Sequence, residues 1–135
     1  MKPFIDHIAL PVSNLDQAIA FYTDVLKFDF DFRTLDEEHH EAFAYLRMEG
    51  GRVELLQKLD GSNRPLVYER PPIAPPFCPH LALGCADLDE MVVDLQKRAV
   101  PLIEGPLVIP GEVKWLYIAD PDHNIIEFVQ WLKKS

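Results

Sequence analysis

A chain of 135 residues with 48% apolar content is one ordinary domain in size and can bury a real core, which excludes a disordered polymer. A formal charge of -9 disfavours nucleic acid and anionic membrane surfaces, since both bind through clustered Lys and Arg; Arg47, Arg52, Arg64, Arg70, Lys58 and Lys114 are the cations left for an anionic ligand. The N-terminus lacks the long apolar run of a signal peptide and no stretch nears the roughly 20 apolar residues that cross a bilayer, so the expectation is a cytoplasmic protein whose Cys78 and Cys85 remain reduced thiols.

In chain order, Ile8-Ala9-Leu10 is short, apolar and bounded by Pro11, which suits a strand. A helix follows, because Asn14 and Gln17 have capping-box spacing and Leu15, Ala18, Ile19, Tyr22 and Leu26 form one apolar stripe. Strands are then expected over Phe28 to Phe32, Ala42 to Leu46 and, after the Gly50-Gly51 turn, Val53 to Gln57. Asp60 to Pro79 contains Pro71-Pro72 and Pro75-Pro76 and reads as a connector, since proline suits neither a helix interior nor a central strand. The pattern then starts again. Leu81-Ala82-Leu83 is a strand, Asp87 and Glu90 cap a helix with the stripe Leu88, Met91, Val92, Leu95 and Ala99, and strands are expected at Leu102-Ile103, Trp115 to Ala119 and Ile125 to Val129 after Asp120-Pro121-Asp122.

The two halves are copies. His7 to Gln17 aligns without gaps on His80 to Glu90, and Val53 to Gln57 on Ile126 to Gln130, both at a shift of 73 positions. The fold expected is α+β, two tandem βαβββ modules (4–57 and 79–131, joined by a Pro-rich connector, 58–78); that their curved mixed sheets enclose a metal site is implied only by the family resemblance given below. In each copy the His stands on the first strand and the Glu on the last. If the sheets face each other across the pseudo-twofold, His7, Glu54, His80 and Glu127 converge, and two neutral nitrogens with two carboxylates suit one divalent ion, Zn, Ni, Co, Mn or Fe. A lone His is more often structural, but Glu127 lies inside the apolar run Ile125 to Val129, where an unpaired charge is costly to desolvate.

These residues resemble the vicinal oxygen chelate superfamily, which includes glyoxalase I, methylmalonyl-CoA epimerase, extradiol dioxygenases and the fosfomycin and bleomycin resistance proteins. The resemblance spans nearly the whole chain, through His7-Ile8-Ala9-Leu10 with Asn14 to Tyr22, His80-Leu81-Ala82-Leu83, and Asp120-Pro121-Asp122 leading to Ile126-Glu127. It implies metal ligands at His7, Glu54, His80 and Glu127. A His, Glu, His, Glu set is most similar to glyoxalase I, which implies a lactoylglutathione lyase-like reaction: proton abstraction next to a carbonyl, with a metal-stabilised enediolate. By the same resemblance Glu127 is the base and Glu54 its partner on the other face, and the protein is a homodimer acting on a small molecule. That family commonly places Arg four residues after the first His and Asn four after the first Glu to grip glutathione; here Pro11 and Lys58 stand there. Val53 to Asn63 is similar instead to methylmalonyl-CoA epimerase, the alternative enzyme. A resistance-type protein that binds a small molecule without catalysis is the alternative of another class.

Other residues carry less. Cys78, two positions before His80, could approach the metal, although a buried thiol is the default, as for Cys85. His39 and His40 fall in the polar run Asp36 to Glu41, read as a solvated loop; Trp115, Phe77, Tyr45 and Phe43 read as aromatic core or pocket wall.

Overall fold

Strand β1 (Ile8–Pro11) pairs in parallel with β4 (Gly51–Lys58), and β4 continues antiparallel through β3 (Glu41–Met48) to β2 (Asp29–Asp36), giving the sheet order β1-β4-β3-β2. The second half repeats the order as β5-β8-β7-β6, from β5 (Leu81–Gly84), β6 (Glu104–Ile109), β7 (Val113–Ala119) and β8 (Ile125–Trp131). The computed structural model describes residues 1–133, which fall into two compact units, Met1–Arg70 and Pro71–Ser135. Each unit is strand, helix, three strands, the α+β arrangement of two tandem βαβββ modules.

The helix of each unit covers one face of its sheet because alternate strand residues are apolar on that face. In the first unit Val53 and Leu55 of β4 and Ala44 and Leu46 of β3 are buried beside Leu15, Ala18 and Tyr22. In the second, Leu116 and Ile118 of β7 and Ile126 and Phe128 of β8 are buried, as are Leu88 and Leu95 of α2 (Leu88–Lys97). Residues of opposite parity, among them Glu54 and Glu127, occupy the other face.

Both predicted caps form: Asn14 accepts from the Gln17 amide and Asp87 from the Glu90 amide. A second cap repeats at the same shift. Gln57 Oε1 accepts from the Leu15 amide at 3.0 Å and Gln130 Oε1 from the Leu88 amide at 2.8 Å. The amide at each helix start would otherwise have no intrahelical partner, so each glutamine ties its helix to the last strand of its unit.

Three expectations need correction. The first helix is regular only over α1 (Leu15–Ala20), after which Phe21–Val25 forms a π-helical turn, with Leu26 N bonding Phe21 O. That turn seats Tyr22 fully in the core and leaves Leu26 half-buried. Leu102-Ile103 is not a strand; the strand runs over Glu104–Ile109 and contains Gly105-Pro106. Gly-Pro reads as a breaker, but β6 is an edge strand with a register shift there, and the φ of +101° at Gly105 brings its backbone so close to β7 that a Cβ would lie 3.0 Å from Trp115 O. Phe77, expected in the core, is 95% exposed.

Candidate metal centre

Each histidine stands one residue before its unit's first strand, where the strand partner is the last strand of the unit. Ala9 is paired with Glu54 and Ala82 with Glu127 in identical parallel register. The repeat in the sequence is therefore a repeat of register, and it brings each imidazole to its carboxylate. His80 Nε2 lies 2.9 Å from Glu127 Oε1, with side chains 18% and 17% exposed. His7 Nε2 lies 3.4 Å from Glu54 Oε1, with side chains 29% and 15% exposed. Both carboxylates are largely covered and face a histidine.

The other ring nitrogens are held as well. His80 Nδ1 donates to the Cys78 carbonyl oxygen at 2.7 Å, and His7 Nδ1 meets Asp6 Oδ2 at 2.8 Å. Cys78 thus contributes its backbone and not its thiol. Asp6 is gripped in turn by Arg52 Nη2 at 3.0 and 2.9 Å, and the His7 and Arg52 contacts together hold the Asp6 carboxyl below its ordinary value. Arg52 is therefore not free for an anionic ligand, nor are Arg47, paired with Asp31, and Lys114, paired with Asp89.

These contacts have a chemical consequence. A neutral imidazole has one N–H to give, yet in both histidines both nitrogens face acceptors. With the ring proton on Nδ1, each Nε2 would offer a lone pair beside a carboxylate oxygen, the form in which an imidazole ligates a metal. The residues fit a metal: two ligands each about 2.1 Å from a shared ion lie roughly 3.0–3.4 Å apart at octahedral to tetrahedral angles, and 2.9 and 3.4 Å are the separations found. An Nδ1 fixed on a carboxylate or carbonyl is also how metal-binding histidines are commonly oriented. Among the described residues, no group of three or more His, Cys, Asp or Glu is arranged so that it could hold a metal ion; each unit contributes one His and Glu pair.

A tyrosine stands beside each pair: Tyr45, read from the sequence as core or pocket wall, and Tyr117, which the sequence reading did not name. Tyr45 is directly opposite Glu54 across β3 and β4, and Tyr117 opposite Glu127 across β7 and β8. Each ring meets its histidine edge-on, at 5.1 Å and 80° for His7 and Tyr45 and 5.7 Å and 83° for His80 and Tyr117. Burial, and then the adjacent glutamate, raises both phenols above their ordinary value.

Each unit has space for a ligand, and in the second unit Glu127 is on its wall. In the first unit a cavity of about 550 Å³ has Pro11, Leu56, Lys58, Leu66 and His40 on its wall. Leu56 and Lys58 follow Glu54 on the same strand face. His40, expected in a solvated loop, thus faces a cavity, its Nδ1 held by Asn63 Oδ1 at 2.9 Å, whereas His39 pairs with Asp36. In the second unit a cleft of about 400 Å³ contains Glu127 itself with Tyr117, Trp115, Leu107, Val129 and Trp131.

The model of the Glyoxalase/Bleomycin resistance protein/Dioxygenase superfamily matches residues 4–128. A virulence protein of Salmonella typhimurium is 25% identical over 131 residues, covering 95% of this chain and 84% of that protein. Among solved structures, the trypanothione-dependent glyoxalase I of Leishmania major has a TM-score of 0.72 at 23% identity, covering 96% of this chain and 87% of that one. An antibiotic-binding protein from a Streptomyces species has a TM-score of 0.69 at 22% identity, covering 96% and 97%. At such identities structural likeness speaks for the fold, and one fold here carries both an enzyme and a binding protein. Since the family match runs from before β1 into β8, the chain belongs to the Glyoxalase/Bleomycin resistance protein/Dioxygenase superfamily.

Proposed function

We propose that this protein is a metal-dependent lyase or isomerase of the glyoxalase I kind, with His7, Glu54, His80 and Glu127 as the ligands of one divalent ion, Zn, Ni, Co, Mn or Fe. The observation that carries the reading is the matched pair of contacts in which an imidazole Nε2 and a carboxylate oxygen face each other while Nδ1 is held from behind. A divalent ion bound there supplies a Lewis acid that stabilises negative charge developing on a substrate oxygen.

The chain's own part is to move the proton. Glu127 lies in the second unit's open, mainly apolar cleft beside Trp115, Val129 and Trp131, where a carboxylate can reach a C–H beside a carbonyl. Glu54 is the matching carboxylate for the opposite position of the substrate. Glutathione is disfavoured as the body of that substrate, because the positions that grip it in glyoxalase I are Pro11 and Lys58, and both line the first unit's cavity. That favours a methylmalonyl-CoA epimerase-like reaction as the second reading, since it uses the same proton chemistry on a different carrier. We further propose a homodimer acting on a small molecule in the cytoplasm, as the resemblance implies.

The test is turnover of hemithioacetals and of methylmalonyl-CoA across the five metals, with Glu127→Gln alongside. The expected result is metal-dependent proton exchange that falls by about 10²-fold or more in Glu127→Gln, the usual worth of general-base catalysis. Full metal content with undiminished turnover in that variant overturns the assignment of the base. Absence of stoichiometric metal and of any proton exchange favours a binding protein that does no catalysis.

A further inference from the structure

The two sheets differ in what stands beyond the tyrosine. Across from Tyr45, on the side away from Glu54, the strand partner is Phe32; across from Tyr117, on the side away from Glu127, it is Glu104. Directly opposed residues of an antiparallel pair share a sheet face. One row of the second sheet therefore carries Glu127, Tyr117 and Glu104 together, with the two glutamates two strand spacings, roughly 10 Å, apart. In the first unit the corresponding place is closed by the Phe32 ring, stacked on Tyr45 at 5.1 Å.

A bulge makes the row possible. Glu104 pairs with Tyr117 and Leu107 with Trp115, so three steps along β6 match two along β7. Residues 104 and 107 would face opposite sides of a regular strand, and the extra residue at Gly105-Pro106 turns both to the same side. Glu104 thereby joins the wall of the second unit's cleft. Beyond the carboxylate row the floor is apolar for two further rows, Leu107, Trp115 and Val129, then Ile109, Val113 and Trp131, a run of about 13 Å along the strands. Among the described residues the wall has no Lys, Arg or His. Glu127 has His80 as its partner, but the Glu104 side chain has no ion pair or hydrogen bond among the described residues.

We propose that Glu104 is a specificity-determining residue that holds a protonated amine of the substrate, whose apolar or aromatic body lies over Trp115, Val129 and Trp131. The inference rests on the proposed function in taking Glu127 as the reacting end of the cleft. A cleft whose charges are carboxylates attracts a cation and repels an anion, and an apolar floor strengthens both effects. The substrate class is thus a carbonyl compound with an amine roughly 10 Å from its reacting carbon, the spacing of the two glutamates.

The experiment uses the chain's two tryptophans, Trp115 and Trp131, which both stand on this floor and make intrinsic fluorescence a report on it alone. The probes are phenylbutylamine, phenylbutanol and phenylbutyrate, one apolar body with a cationic, a neutral and an anionic head, titrated near neutral pH into the full-length protein and into Glu104→Gln. The amine is expected to bind about tenfold more tightly than the carboxylate, with the alcohol between, as an attraction set against a repulsion near a surface gives. In Glu104→Gln the amine is expected to come within about twofold of the alcohol, while alcohol binding, the thermal melt and metal content match the parent. Amine preference that survives Glu104→Gln, carboxylate binding as tight as amine binding, or unchanged fluorescence with every probe, as when a second copy of the chain covers the face, overturns the proposal. Any of these in a protein that binds its metal leaves the metal-site reading standing. Amine preference in a protein that binds no metal overturns the enzymatic reading and with it the role of Glu104 toward a substrate.

Discussion

The two phenols beside the glutamates show how much a single residue's surroundings decide. Tyr45 and Tyr117 are pushed above the ordinary tyrosine value first by burial and then by the neighbouring carboxylate, so the neutral phenol is the form the folded protein favours. A raised folded value means that the unfolded chain loses these protons first. Their contribution to stability is whole below about pH 10 and is lost as pH rises through the raised folded values. Ultraviolet phenolate titration of the protein against Tyr45→Phe and Tyr117→Phe is expected to assign each phenol a midpoint above the ordinary one; a midpoint at or below it contradicts the account. The ligand candidates were legible because His7 with His80 and Glu54 with Glu127 share one shift. Tyr45 was read only as core or pocket wall and Tyr117 was not named, since their shift is 72. The stretch from Tyr117 to Glu127 is one residue longer than that from Tyr45 to Glu54, and only register removes that difference.

At the scale of elements, the repeat marks structural residues as faithfully as ligands. Gln57 and Gln130 obey the same shift of 73 as the glutamates, yet each lies on the helix-covered face and bonds a helix-start amide. Gln57→Ala and Gln130→Ala are each expected to lower unfolding stability by about 1–3 kcal/mol, the cost of leaving a covered amide unpaired, with metal content unchanged. Denaturant unfolding measures this, and a change below about 0.5 kcal/mol in both, no more than an ordinary surface substitution gives, contradicts the role. Strand and helix order was readable because apolar residues recur with period 2 or along one helical stripe in each half. The π-helical turn at Phe21–Val25 was hidden inside a stripe that fits a regular helix equally well. The edge strand β6 was hidden by Gly105-Pro106, whose breaker character is tolerated where one side of the ladder is open.

For the whole molecule, the family and the two-module fold follow from the repeat, the strand order and the match over residues 4–128. The chemistry rests on a narrower base. Two pairs, each an imidazole and a carboxylate with Nδ1 held, are present in separate units. That they serve one ion is the proposal. The sequence shows the pairs to be alike through their common shift, but not which side chains of different modules bind together. Metal content of the purified protein, alongside His7→Ala and His80→Ala, tests the claim most directly. The account predicts one divalent ion per chain in the parent and loss of that ion in either variant, because each removes one of the four ligands of a single ion. Two ions per chain, or full binding retained in His7→Ala or in His80→Ala, would contradict it.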